Sequence, residues 1–318
     1  MNWMIKLNRF DGNPIISPRE GLLWEEKGTF NPTAFYENGS VHILYRAVSN
    51  DRVSRIGYAR STDGFYIVER LHEPIYSPRE EFEQKTVEDG GSGCEDARIT
   101  KIGDRLYMCY TAFNGKDARV AITSISVQDF LARNWNWEKP TVMTEPGVFD
   151  KDGSIFPEKI NDKFAIFHRP GDSIWLDFVD ELSFGNDKWL KGTEVIKPRG
   201  DRWDNARVGI SSPPIKTDLG WLVLYHGIKD PEHAYKASAM LLSLSDPTKI
   251  IAIYNEPLFE PVMKYEKEGP VPNVIFPCGA VPLKDELFVY YGGADRVVGV
   301  CTCNLEELVN DILKEGRV

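Results

Sequence analysis

The sequence predicts an all-β protein: one domain spanning residues 1–318, built as a five-bladed β-propeller and finished by a short C-terminal helix. Three observations predict it. A unit of strand, turn, strand and third strand occurs five times along the chain. The second strand of each unit carries an aromatic, at Tyr45, Tyr110, Phe167, Tyr225 and Tyr291. Subtracting neighbouring positions gives spacings of 65, 57, 58 and 66 residues, a near-constant period of the kind that repeats around a ring.

The elements follow in order. After a lead-in with Asn13-Pro14-Ile15-Ile16 and Trp24, the first unit runs from Asn31-Pro32-Thr33 through a turn at Glu37-Asn38-Gly39 into strands at 41–46 and 56–59. Apolar and aromatic runs bounded by Asn, Asp and Gly set these limits. The second unit covers 96–102, a turn at Gly103-Asp104, then 106–110 and 120–122. The third has 154–156, a turn near Asn161-Asp162, then 164–169 and 174–177. The fourth starts at Arg207, turns at Asp218-Leu219-Gly220 and continues through 221–226 and 239–242. The fifth has 277–281, a turn at Lys284-Asp285-Glu286, then 287–292 and 298–301. The Glu- and Gly-rich stretch 66–95 and the Pro-rich stretch 256–277 read as loops between units. Residues 304–313 carry apolar side chains at helical spacing, with Asn304 as N-cap and Glu307 three residues later. This helix is expected against the outside of a blade or a neighbouring subunit, which leaves a homo-oligomer open.

Composition narrows the function. A net charge of -10 excludes nucleic acid and anionic membranes as main partners, so basic groups that converge need a local reason. The opening Met1-Asn2-Trp3-Met4-Ile5-Lys6 lacks the apolar core of a secretion signal, and no run is long enough to span a membrane, so a cytoplasmic setting is expected. The five cysteines are odd in number, and the lone Cys301-x-Cys303 pair has no matching second pair, so no metal site is expected.

The chemistry centres on Asp89-Gly90-Gly91-Ser92-Gly93-Cys94-Glu95-Asp96-Ala97-Arg98, where two adjacent acids and an arginine enter a strand after a glycine-rich run. Fourteen residues before each shared aromatic lie Asn31, Asp96, Gly153, Ser211 and Pro277, near the starts of the innermost strands. Just after the aromatics come Arg46, Thr111, His168-Arg169, His226 and Gly292-Gly293 leading to Asp295. The start of one antiparallel strand neighbours the end of the next, so both sets should ring one mouth. Taken singly, each basic residue reads as a surface charge, His226 as a structural histidine and Asp295 as a turn residue. Their shared placement favours a site. Glycoside cleavage needs a proton donor to the leaving oxygen, and Asp96 is placed for it. No equally placed second acid is present; Lys151, Arg169, Arg207 and His226 are, and they suit a phosphate nucleophile.

Phe30-Asn31-Pro32, Leu44-Tyr45-Arg46-Ala47, Gly93-Cys94-Glu95-Asp96-Ala97-Arg98, Phe156-Pro157-Glu158, His168-Arg169-Pro170, Ala206-Arg207-Val208-Gly209, Tyr225-His226-Gly227, Phe276-Pro277-Cys278-Gly279 and Tyr290-Tyr291-Gly292-Gly293-Ala294-Asp295 occur in this order. In that order the chain resembles the family-130 glycoside phosphorylases acting on β-mannosides. The resemblance implies a five-bladed propeller and an inverting phosphorolysis that uses inorganic phosphate as co-substrate and no cofactor. It implies Asp96 as general acid, directly or through a mannose hydroxyl. It also implies Lys151, Arg169, Arg207 and His226 as phosphate ligands, and Asn31, Arg46 and Asp295 as mannosyl ligands. Glu95 and Arg98, the acid's own neighbours, join the substrate-binding set. Ala97 stands where the family has proline, and Lys151 where it has arginine. Two alternatives remain: an inverting β-mannosidase, and a carbohydrate-binding propeller without catalysis. The loops 66–93 and 229–236 are expected to choose linkage and acceptor.

Overall fold

The computed structural model describes residues 5–316; Met1 to Met4, the head of the segment read for a secretion signal, lie outside them, as do Arg317 and Val318. A short strand β1 (Asn8–Arg9) precedes five antiparallel units. The first is β2 (Gly28–Glu37), β3 (Ser40–Val48), β4 (Val53–Ser61) and β5 (Ile67–Arg70). The second is β6 (Ser92–Ile102), β7 (Arg105–Phe113), β8 (Ala118–Ser126) and β9 (Thr141–Val142). The third is β10 (Asp150–Ile155), β11 (Phe164–Pro170), β12 (Ile174–Val179) and β13 (Thr193–Ile196). The fourth is β14 (Arg207–Ile210) and β15 (Ile215–Thr217), which share the edge of β16 (Gly220–Lys229), then β17 (Ala234–Leu242) and β18 (Ile250–Ile253). The fifth is β19 (Ile275–Leu283), β20 (Glu286–Gly293) and β21 (Val297–Asn304).

The fold is therefore all-β, and each unit is a four-layered meander where the sequence showed three strands. The outer strands β5, β9, β13 and β18 are only two to four residues long, too short for a clear alternation. In the fifth unit the outer place is taken by β1, which pairs antiparallel with β21 from the other end of the chain. The stretch 66–95 is not simply a loop: it holds β5, a 3-10 turn (Glu81–Glu83) and the entry to β6. A short parallel contact, Val53 opposite Ser92 and Ser54 opposite Gly93, merges the first two units into one eight-stranded sheet.

Period-2 side-chain alternation sends each strand's residues to two different neighbours. Leu44 of β3 packs toward the second unit with Met108 and Ala121, whereas Ile43 and Tyr45 pack toward the fifth with Val281 and Tyr290. The larger clusters of buried apolar residues accordingly lie between units one and two, two and three, three and four, four and five, and five and one. The C-terminal helix α3 follows the shorter helices α1 (Val127–Leu131) and α2 (Lys264–Lys267), and spans Leu305–Glu315. Asn304 caps it by accepting from the Glu307 amide at 2.9 Å. Leu308, Val309 and Ile312 are buried with Tyr254 and Cys303 of the same chain, so its apolar face is covered without a second subunit.

A buried carboxylate locks the second strand of every unit. Tyr45 donates to Glu25 at 2.7 Å, Tyr110 to Glu83, Tyr225 to Asp204 at 3.3 Å and Tyr291 to Glu266 at 2.9 Å. In the third unit the partner is His168, whose Nδ1 lies 2.8 Å from Asp150. The repeat's phase there runs through His168, not Phe167, which faces the cluster with Phe156 and Trp221 instead. Sequence favoured Phe167 because it is aromatic; the bulge in β10, which places Asp152 and Gly153 against the single residue His168, decides otherwise.

Candidate active site

The first strands of three units bulge at the same place. Phe30 to Thr33 in β2, Glu95 to Arg98 in β6 and Lys151 to Ser154 in β10 each place two residues against one on the neighbouring strand. The first residue of each extra pair is left-handed: Asn31 at φ 47°, Asp96 at φ 52° and Asp152 at φ 57°. Asn and Asp are the non-glycine residues that tolerate this conformation best, which is why these types stand there. The bulge of the third unit thus begins at Asp152; the sequence reading placed Gly153 there, one residue late.

Asp96 is buried and accepts from Asn31 Nδ2 at 2.8 Å and from Arg46 at 3.2 Å. Arg46 also donates to Glu95 at 2.7 Å and to Ser54 at 2.9 Å, and Lys151 closes on the other oxygen of Glu95 at 3.0 Å. Lys151 therefore sits on the acid side of the site, paired with Glu95. Burial alone would push the Asp96 carboxyl up, but Arg46, Lys151 and the Asn31 hydrogen bond together hold it below the ordinary carboxylate range. Asp295 behaves oppositely. Burial, helped by Asp96 and Glu95, outweighs Arg46 and pushes it up to about 6. A cavity of about 420 Å³ opens beside this group, lined by Gly28, Phe30, Arg46, Arg52, Pro270 and Asp295.

The basic groups gather around Asp152. Its Oδ2 accepts from Arg169 at 2.5 Å and lies 3.6 Å from His226 Nε2, while its Oδ1 accepts from Arg98 at 3.0 Å. Gly209, opposite His226 in the β14–β16 pair, makes this approach possible: a Cβ there would fall 2.3 Å from Asp152 Oδ2 and 2.5 Å from His226 Nε2. Gly292 serves Asn31 in the same way, its missing Cβ leaving room for Asn31 Oδ1. Burial lowers the His226 pKa to about 3, so the imidazole is neutral. Its Nδ1 has no partner among the described residues. Arg207 is half-exposed and paired with Asp172 at 2.7 Å.

Arg98 is fully buried, donating to the backbone oxygens of Asp96, Ile210 and Ser211 as well as to Asp152. It ties the acid's bulge to the fourth unit, a placement at odds with direct contact to a sugar. Two groups escaped the sequence reading. Asp152 was visible only as an acid flanking Lys151, its Asp-Gly dipeptide being the one local signal of a left-handed turn. Tyr235 packs beside His226 and Phe276, with its hydroxyl raised by burial against the pull of Arg207 and Arg169.

A family model described as beta-1,4-mannooligosaccharide phosphorylase matches residues 10–315. The chain belongs to glycoside hydrolase family 130. Within family 130 it is similar to a 1,2-beta-oligomannan phosphorylase of Thermoanaerobacter sp. (strain X514), 40% identical over 96% of this chain and 99% of the relative. A beta-1,2-mannobiose phosphorylase from the same strain is 37% identical, again over 96% and 99%. Among solved structures, the beta-1,2-mannobiose phosphorylase of Listeria innocua, in complex with beta-1,2-mannobiose, superposes with a TM-score of 0.81. Its sequence is 29% identical, and the match covers 98% of this chain and 100% of that one.

Proposed function

We propose that this family-130 protein is an inverting phosphorylase of β-1,2-linked mannosides that releases α-mannose 1-phosphate and the shortened sugar. One observation carries the reading. Arg169 and His226 converge on Asp152, and Arg207 lies within its electrostatic reach, paired with Asp172; both carboxylates are engaged by arginines, the buried Asp152 by two of them, and so neither is free to activate water. An inverting hydrolase needs a free base at that place. A phosphate dianion needs charge-assisted donors, which this cluster supplies.

In this reading Asn31, Arg46 and Asp295 hold the mannosyl unit beside the cavity, and Arg169, Arg207 and His226, with Tyr235, hold phosphate. Lys151 stays on the acid side, paired with Glu95. A phosphate oxygen attacks the anomeric carbon as its bond to the leaving oxygen breaks, and Asp96 delivers a proton to that oxygen, directly or through a sugar hydroxyl. A donor must carry its proton at working pH. Bound phosphate adds negative charge opposite the arginines and bound sugar excludes water; both raise the Asp96 carboxyl from its depressed position.

The β-1,2 linkage is favoured because relatives named for it are 36–40% identical, against 28–29% for those named for β-1,4-linked substrates. The five units are read as blades around one axis in a single domain over residues 1–318. The cyclic order of the apolar clusters supports this, with the last lying between units five and one. A cytoplasmic setting accords with five cysteines that are all unpaired.

The test is sugar release from β-1,2- and β-1,4-mannobiose, with and without inorganic phosphate, by wild type and Asp96→Asn. Mannose 1-phosphate should form only with phosphate and only quickly from the β-1,2 dimer, with turnover falling at least about 100-fold in the variant. Free mannose released at the same rate without phosphate would make the protein a hydrolase.

A further inference from the structure

Asp152 is a carboxylate inside a cluster otherwise suited to an anion, and such a group weakens anion binding unless it does something else. Its geometry shows what. The side chain is 2% exposed and its two oxygens are divided between different guanidinium groups, Arg169 on Oδ2 and Arg98 on Oδ1. Arg169 comes from the neighbouring strand β11 and is further fixed by donating to Gly171 O at 2.6 Å. Arg98 comes from β6, two residues beyond Asp96, and donates to the Asp96 carbonyl at 2.9 Å. A continuous chain thus runs from the backbone of the acid's bulge through Arg98 and Asp152 to Arg169. The left-handed backbone at Asp152 and the missing side chain at Gly209 both exist where this contact needs them.

We propose that Asp152 is a positioning residue, which rests on the phosphorylase reading above: it aims the Arg169 guanidinium at the incoming phosphate and fixes its register against Asp96. It touches neither sugar nor phosphate. Divided this way, the carboxylate holds Arg169 in one rotamer before phosphate arrives, so less side-chain freedom is lost on binding. Asp96 and Asn31, at the matching bulges, face the substrate; Asp152 serves the cluster that supplies the nucleophile.

The experiment uses Asp152→Asn, which keeps the shape and one acceptor but presents an NH2 group to one arginine. Initial rates over phosphate and mannobiose concentrations give both KM values, and thermal shift on adding inorganic phosphate gives binding without turnover. The phosphate KM should rise roughly 10- to 100-fold, with the mannobiose KM changed less than about threefold and the phosphate-induced shift lost. Asp152→Ala, which opens space as well, should lose more stability and show the same split in whatever fraction folds. An unchanged phosphate KM in Asp152→Asn overturns the proposal. So does an equal rise in both KM values together with a lower Tm, the mark of a merely structural residue. Wild type that turns over without phosphate would instead overturn the phosphorylase reading, so the two failures are distinguishable.

Discussion

Replacing Asp295 with asparagine should stabilise the protein at neutral pH while impairing it as an enzyme. Asp295 sits in a left-handed turn after β20, at φ 53°, where burial pushes its carboxyl from 3.8 up to about 6. The native state therefore keeps a proton that the unfolded chain releases near its ordinary value. Between about pH 4 and pH 6 the native state binds more protons, so the stability linked to this group falls as pH rises through that window and is constant above it. At about 1.36 kcal/mol per unit, the shift amounts to about 3 kcal/mol. Asparagine carries no charge to desolvate. The difference in unfolding free energy, variant minus wild type, should grow by about 3 kcal/mol from pH 4 to pH 7. For a chain of 318 residues that is about 4 °C in Tm. Urea unfolding of both proteins at a series of pH values measures it, and taking the difference cancels His42 and His226, which titrate in both. A flat difference curve, or one that grows toward acid, would refute the reasoning, because it would mean that Arg46 outweighs burial at this carboxylate. Turnover should fall roughly 10- to 100-fold if the carboxylate accepts from sugar hydroxyls.

Three further perturbations probe other parts of the argument. Gly209→Ala drives a methyl group into Asp152 and His226, so it should destabilise by about 1–3 kcal/mol and raise the phosphate KM more than the mannobiose KM; equal changes in both would count against the cluster. Tyr291→Phe removes one donor from buried Glu266, which still holds Arg9 and two backbone amides, so a loss of about 1–2 kcal/mol is expected in urea melts, with catalysis unaffected. His226 stays neutral to about pH 3 in the native state while the unfolded imidazole protonates near 6.5, so its contribution is present above pH 6.5 and lost as pH falls toward 3. His226→Gln should flatten that acid limb by about 3 kcal/mol between pH 7 and pH 4, read from circular-dichroism melts, and a limb of unchanged slope would assign the acid sensitivity elsewhere.

Much of this was legible in the order of residues. Most of the inner strands announce themselves because a strand buried on both faces reads as a short apolar and aromatic run, and Gly, Asn and Asp mark its turns. The bulge residues Asn31 and Asp96 could be found because both lie fourteen residues before a shared aromatic, and Asn304 because a helix start needs an acceptor. Short strands carry no such signal. Neither β18, at four residues, nor β1, whose partner β21 lies at the far end of the chain, could be seen without its neighbour.

What the sequence by itself determined is the local grammar: the fivefold strand–turn period, the acid at the mouth of the second unit and the basic residues that follow it. Only the tertiary structure decided how these groups pair. The carboxylates that lock Tyr45, Tyr110, His168, Tyr225 and Tyr291 precede them by 20, 27, 18, 21 and 25 residues, an irregular series with no period to detect. Asp152 gathers Arg98, Arg169 and His226 from three units, and Lys151 turns away from them to Glu95. The reason is physical. Alternation and turn chemistry act within a few residues, where backbone geometry fixes the distances. The pairing of buried charges depends on which strands the apolar clusters bring side by side and on where a missing Cβ, as at Gly209, lets two side chains meet.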